Sequence, residues 1–359
     1  MAPVQDPIAA VSQALDTFLT RQRELATPLG PEAALITEAG AESVTGGKRL
    51  RARFLLAGWR AVTGDEPTPA AITAAAALEL FHAAALVHDD VIDNSDTRRG
   101  RPAAHRALER HHRDAAWHGD AESFGRAGAV LLGDLLVAWS DDLFEGGLTD
   151  AAPDRAAAAR TEYARMRREV TIGQFLDVAE ESAFRTEPDE RHADRALRVA
   201  SLKSARYSVQ QPLLIGAALG GADAAQSEAL SQFGHPLGMA FQLRDDVLGV
   251  FGDEALTGKP AGDDLREGKR TVLVAYAREA LQVGARRVFD ELVGDPDLDD
   301  VQVKSLQETI VQTSALDRVE ALIADYAHQA DRALAGAKLD NAAVAELRDL
   351  ARASTVRVA

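Results

Sequence analysis

The chain has 359 residues, 27% charged and 46% hydrophobic, and its 56 acidic against 40 basic side chains leave a net charge of −16 at pH 7. So acidic a surface repels phosphate backbones and anionic headgroups, which sets aside nucleic-acid binding and charge-driven membrane attachment; the apolar share is too high for a disordered chain. With no cysteine, disulfides, thiolate catalysis and Cys-ligated zinc or iron–sulfur sites are excluded, and any metal must be held by oxygen or imidazole.

Alanine, leucine and arginine are abundant, aromatics are only 5%, and strand-like alternation is nearly absent, so an all-α fold is expected. The opening Met1 to Asp6 lacks a basic stretch before an apolar core, and a cytoplasmic location is expected. Thr68-Pro69 pairs a capping residue with a first-turn proline and opens a helix to about Asp93. Its apolar stretch, Ala70 to Val87, is interrupted by Glu79 and His82, so it is not read as a membrane span. Segments 125–145 and 154–184 read as long helices, whereas 111–123 and 294–300 read as loops. Asp223 and Gln226 have capping-box spacing and open a helix toward Asp246. Pro212, Pro236 and Pro260 sit where they would kink or end helices. No linker or tandem repeat is visible, so residues 1–359 are expected to form one domain.

Two acidic clusters carry the chemistry. Asp89 and Asp93 are four apart and share a helix face, with Asp90 turned away by roughly 100°. Carboxylates so placed repel one another unless a cation lies between them, and Mg²⁺ takes one or two carboxylates together with substrate phosphates. A solvated acidic helix end is the competing reading of this motif alone. A second pair, Asp245-Asp246, again closes a long apolar helix pattern. Two pairs on separate helices that converge across a cavity would hold several divalent ions. No EF-hand fits, because loops begun at Asp89 or Asp93 lack the glycine and glutamate required.

Cations concentrate at Lys48, Arg49, Arg51 and Arg53, at Arg98, Arg99 and Arg101, at Lys259, and at Arg266, Lys269 and Arg270. Gly46-Gly47 frees the backbone ahead of Lys48, and the following helix start would aim amides at an anion. Together with the carboxylates, these clusters fit two phosphorylated ligands, one held through metal and one directly by Lys and Arg. The trio His111, His112 and His118 reads as a solvated polar loop without acidic partners.

The order Gly46-Gly47-Lys48-Arg49-Leu50-Arg51, Asp89-Asp90-Val91-Ile92-Asp93 with Arg98-Arg99-Gly100, Gly173-Gln174 with Asp177, Lys203-Ser204, Gln242 to Asp246, Asp253, Lys259 and Lys269 resembles the trans-isoprenyl (polyprenyl) diphosphate synthases over nearly the whole chain. Bacterial geranylgeranyl diphosphate synthases are the members it is most like. The resemblance implies the class I isoprenoid synthase bundle around a central cavity, a homodimer, and Mg²⁺, with three ions per site and Mn²⁺ as an alternative. It implies a prenyltransferase that condenses isopentenyl diphosphate with an allylic diphosphate by ionisation, condensation and elimination. Asp89 and Asp93 resemble ligands of two ions, Asp245 of a third, and Asp90 and Asp246 supporting carboxylates. Arg98, Lys203, Gln242 and Lys259 resemble the groups that hold the allylic diphosphate, and Ser204 and Lys269 resemble further substrate-binding residues. Lys48, Arg51, His82 and Arg99 resemble the isopentenyl diphosphate pocket. A core histidine is the competing reading of His82. Gly249 replaces a third aspartate common in the second motif, and Ala52 replaces a common proline.

Product length in the family is set beneath the growing tail. Ala84 and Ala85, one turn before Asp89, leave that space open, and Phe81 lies a turn deeper. A geranylgeranyl-sized product is expected, with farnesyl and chains of C25 or longer as alternatives. A class I terpene cyclase would have no use for the Lys48/Arg51 and Arg99 cations, and non-catalytic synthase subunits usually lose acidic clusters that are both present here.

Overall fold

Capping chemistry sets the helix starts. The computed structural model describes residues 6–252 and 261–355. Helix α1 (Pro7–Ala26) starts on the Asp6 cap, α2 (Pro31–Val44) on a proline, α3 spans Leu50–Thr63 and α4 spans Pro69–Ile92. The Thr68 hydroxyl accepts the Ala71 N–H at 3.4 Å with Pro69 in the first turn, as the sequence indicated. After α4, β1 (Thr97–Arg98) pairs antiparallel with β2 (Arg101–Pro102). Both residues of the connecting turn, Arg99 (φ 53°) and Gly100 (φ 71°), are left-handed, the turn chemistry of a tight hairpin. Apart from this two-residue strand pair, the regular structure of the described residues is helical, the all-α fold that the sequence predicts.

Helices α5 (Ala104–Asp114), α6 (Ala121–Gly147) and α7 (Pro153–Ala183) follow. The expected 111–123 loop shrinks to 115–120, because His111 and His112 close α5. Far from being a solvated loop, His112 is buried between Trp117 (6.0 Å) and Phe124 (5.1 Å), its Nε2 donating to the His118 carbonyl. Beyond α8 (His192–Val199), the run Ala200–Gln210 is π-helical and leads into α9 (Gln211–Gly220), with Pro212 in the first turn. Helix α10 (Ala224–Phe251) carries the expected Asp223/Gln226 capping box and accommodates Pro236 in its interior. The chain closes with α11 (Asp263–Glu267), α12 (Val272–Ala280), α13 (Val283–Leu292), α14 (Asp300–Gln312), α15 (Ala315–Ala333) and α16 (Asn341–Thr355).

Contacts group the chain into two compact units, residues 1–59 with 65–156 and residues 60–64 with 157–359. In the first, α4 is the core helix, packed along α6, and the Ser140 hydroxyl donates to the Ala77 carbonyl at 2.7 Å inside the contact. Phe54, Leu78, Leu80, Leu132, Leu136 and Phe144 are fully buried there, each worth about 1.5–3 kcal/mol against exposure. By length and composition α4 could cross a membrane, but its most apolar window is 67% buried, as a core helix would be. In the second unit, α10 packs on α15 and the π-helical run. Leu243, Val247, Leu265, Leu273, Ile310 and Val319 form one buried cluster, and Arg244 grips Glu320 with two hydrogen bonds at 2.5 and 2.7 Å.

Candidate functional site

In the first unit the acidic cluster closes α4. Asp93 is its C-cap and donates its N–H to the Asp89 carbonyl, so the two carboxylates stand one turn apart on one face, both half-buried. Asp90 turns inward and is 3% exposed. The hairpin delivers Arg98 to it, with Nε donating to Asp90 Oδ1 at 2.8 Å, Nη2 bonding the same oxygen, and Asp89 Oδ2 lying 3.8 Å away. Burial raises the Asp90 pKa against the pull of Arg98, with the Asp89 charge adding to the rise. Burial works against the Arg98 charge too, but the bonds and charges of Asp90, Asp89 and Asp93 outweigh it and keep the guanidinium protonated.

The first unit also gathers the predicted cations. Gly46, Gly47 and Arg49 all have positive φ (81°, 84° and 52°), so the chain turns sharply into α3. A Cβ at Gly47 would stand 3.1 Å from the Arg99 guanidinium, whose Nη1 donates to the Thr45 carbonyl at 3.0 Å. Glu79, buried on α4, accepts the Ala52 N–H at 3.1 Å, one of the orphan donors of the α3 first turn, and lies 3.6 Å from Arg49. Sequence reading treated Glu79 only as an interruption; a carboxylate inside an apolar helix three residues before His82 was the available signal. Lys48 is exposed and Arg51 half-buried.

His82 is the focus of this cluster. Its pKa falls well below the ordinary imidazole value, first through burial and then through the charges of Arg51, Arg99, Arg98 and Arg49. It is therefore neutral near pH 7 and able to hydrogen-bond without adding charge. The linkage sign follows: below about pH 6.5 the unfolded chain binds a proton that the folded one refuses, so stability is lost as pH falls. Between pH 7.5 and 5.5 the wild-type protein is expected to lose roughly 1 kcal/mol more than His82→Gln in denaturant unfolding. Equal losses would show that His82 is not held neutral.

The second unit carries the other pair at the end of α10. Asp245 is exposed, whereas Asp246 is 7% exposed and accepts from Gln242 Nε2 at 2.7 Å. Burial, then the charge of Asp264, push the Asp246 pKa well above the usual carboxylate range. Asp264, on α11, escaped the sequence reading. Its Oδ2 lies 1.9 Å from where a Cβ at Gly249 would stand, so its carboxylate fills the space that a third motif aspartate would need. Lys269 Nζ holds it at 3.2 Å and also pairs with Glu267 at 2.5 Å. Lys203 Nζ bonds Asp177 Oδ2 at 2.5 Å, with Ser204 next to it on the π-helical run. Asp253 and Lys259 lie outside the described residues.

Among the described residues, no three carboxylate or imidazole side chains of this chain converge into a stand-alone metal cage. One or two oxygens at a time is the donor set that suits Mg²⁺ shared with a phosphorylated ligand, and Asp89 with Asp93, and Asp245, fit it. An open cleft of about 570 Å³, lined among others by Arg206, His235 and Arg332, includes none of the predicted site residues. On α4, Phe81 and Ala84 are buried and Ala85 is half-buried.

The polyprenyl synthetase family model matches residues 33–310. Over 98% of both chains, the protein is 36% identical, with a TM-score of 0.91, to a Corynebacterium glutamicum geranylgeranyl pyrophosphate synthase whose crystal structure holds isoprenyl diphosphate and magnesium. It is 33% identical to the geranylfarnesyl diphosphate synthase of Aeropyrum pernix over 79% of this chain and 82% of that one. It is 31% identical to the geranylgeranyl diphosphate synthase of Methanosarcina mazei over 78% of this chain and 77% of that one.

Proposed function

This chain belongs to the polyprenyl synthetase family, and from that premise we propose that it condenses isopentenyl diphosphate with an allylic diphosphate to give geranylgeranyl diphosphate. The observation that carries the reading is the charge sorting of the first unit. In a chain of net charge −16, four arginines bear on one neutral imidazole, next to a helix end that presents Asp89 and Asp93. Lys48, Arg51, Arg99 and neutral His82 hold isopentenyl diphosphate by charge and hydrogen bonds. Arg98, Lys203, Gln242 and Lys259 hold the allylic diphosphate, and Ser204 and Lys269 add to substrate binding. Asp89 and Asp93 ligate two divalent cations and Asp245 a third, while buried Asp90 and Asp246 orient their neighbours; Mg²⁺ is the resident ion and Mn²⁺ a substitute. Bound Mg²⁺ supplies neutralisation of the diphosphate as it departs.

The allylic C–O bond breaks with its electron pair leaving on the diphosphate. The double bond of isopentenyl diphosphate attacks the resulting cation, and the proton shed from the adduct goes to the released diphosphate, so no dedicated side-chain base is required. We further propose that residues 1–359 work as one functional domain. A cytoplasmic homodimer fits: among the described residues the span-length apolar helix α4 is mostly buried, and each unit leaves apolar side chains exposed that a second copy would cover, Leu131 on α6 (61% exposed) in the first and Phe175 on α7 (70% exposed) in the second.

The test is incubation with isopentenyl diphosphate and allylic primers of increasing length in Mg²⁺, with products sized by chromatography. Linear elongation that stops at the geranylgeranyl length is expected; a cyclic hydrocarbon, or no elongation without a second protein, overturns the reading. Product length gives a second result. Ala84 is 1% exposed, so Ala84→Phe costs about 1–3 kcal/mol of overpacking and shifts the main product to a shorter chain. Ala85→Phe, at a half-buried position, tests the same floor. An unchanged product distribution in both variants removes α4 as the length ruler.

A further inference from the structure

The segment that carries Lys203 is π-helical through all eleven residues from Ala200 to Gln210, and Gln211 still donates to the carbonyl of Arg206 five residues back. π-Helices are rare and mostly single-turn bulges, so a run of this length needs outside support. A π turn is also wider than an α turn, and its backbone reaches further toward its neighbours.

Those neighbours meet it with glycine. On α7, a Cβ at Gly173 would lie 2.4 Å from the Lys203 amide nitrogen and 2.8 Å from its Cα. On α10, a Cβ at Gly238 would lie 2.4 Å from the Ala205 carbonyl oxygen and 2.6 Å from its Cα, and one turn earlier a Cβ at Gly234 would lie 2.8 Å from Gln210 Cα. These are backbone atoms, which no rotamer change can move aside. The run is therefore gripped from α7 and from α10 at residues bracketing Lys203 and Ser204. Asp177, one turn past Gly173 on α7, takes the Lys203 ammonium at 2.5 Å, so α7 fixes both ends of that lysine.

We propose that Gly238, with Gly173, is a positioning residue: the two glycines hold the π-helical register and thereby set where the Lys203 ammonium stands. The inference rests on the reading of Lys203 as an allylic-diphosphate group, and the experiment separates the two. In Lys203→Ala, Gly238→Ala and the double variant, the KM of each substrate and kcat are measured. Gly238→Ala is expected to raise the allylic KM about tenfold, to leave the isopentenyl diphosphate KM within about twofold, and to add nothing on the Lys203→Ala background, as coupled residues do. An unchanged allylic KM, or full additivity, overturns the clamp. If Lys203→Ala itself leaves the allylic KM unmoved, the reading of Lys203 fails, and a crystal structure of Gly238→Ala then decides the clamp: an intact π register over 200–210 sinks it, a reversion toward α-helical bonding upholds it. Should Gly238→Ala not fold, Gly173→Ala applies the same push to the Lys203 amide from α7.

Discussion

Asp89→Ala and Asp245→Ala are each expected to lower kcat by roughly 10²- to 10³-fold, the loss typical when one preorganised group that stabilises transition-state charge is deleted. The chemistry asks for this, because a diphosphate leaving group accumulates charge that an acidic chain cannot neutralise with its own cations alone. Neither change should unfold the protein. Asp245 is exposed, where substitutions are usually worth only about ±0.5 kcal/mol, and Asp89 is only half-buried. The contrast with the adjacent aspartates makes the test selective: Asp246→Ala empties a buried, hydrogen-bonded position and should register in unfolding as well as in turnover. Steady-state rates at saturating substrate, repeated over a Mg²⁺ series, are the measurement. Turnover within threefold of the wild type in both variants, at every Mg²⁺ level, would remove the metal assignment.

The same geometry explains what was legible in advance. Neighbouring residues on a helix point about 100° apart, so the sequence alone places Asp90 on a different face from Asp89 and Asp93, and the fold then buries it. Helix starts were readable because Thr68, Asp223 and Gln226 act on backbone donors a few residues away. What stayed hidden depends on partners distant in sequence. Helix α5 buries His105, Leu108, Glu109 and His112, a regular helical face on which only Leu108 is apolar, so a search for apolar periodicity passes over it. The role of Asp264 follows from an empty Cβ position fifteen residues earlier, at Gly249, and no local pattern announces it. Glu79 looks like a flaw in an apolar helix until α3 docks its first-turn amide on it. The π-helical register belongs to the same group, since glycines on two other helices make room for it.

Asp90 offers the largest expected loss of stability. Its carboxylate is the partner that lets a buried guanidinium exist at the root of the hairpin: Arg98 bonds it through two nitrogens, and side-chain exposure is 4% for Asp90 and 28% for Arg98. Removing one member of a buried pair strands the other charge, which costs about 3–5 kcal/mol; the partial exposure of Arg98 places Asp90→Ala near the lower end, at about 3 kcal/mol. Replacing both members together, Asp90→Leu with Arg98→Met, strands nothing and is expected to recover most of that loss. Urea unfolding of the two variants reads the difference directly, and a drop below about 1 kcal/mol for Asp90→Ala would mean that the pair does not anchor the hairpin. The consequence reaches function through Arg99, the next residue, whose left-handed turn and bond to Thr45 depend on where β1 is pinned. Folded Asp90→Ala protein should therefore show a raised KM for isopentenyl diphosphate even though Asp90 touches no substrate.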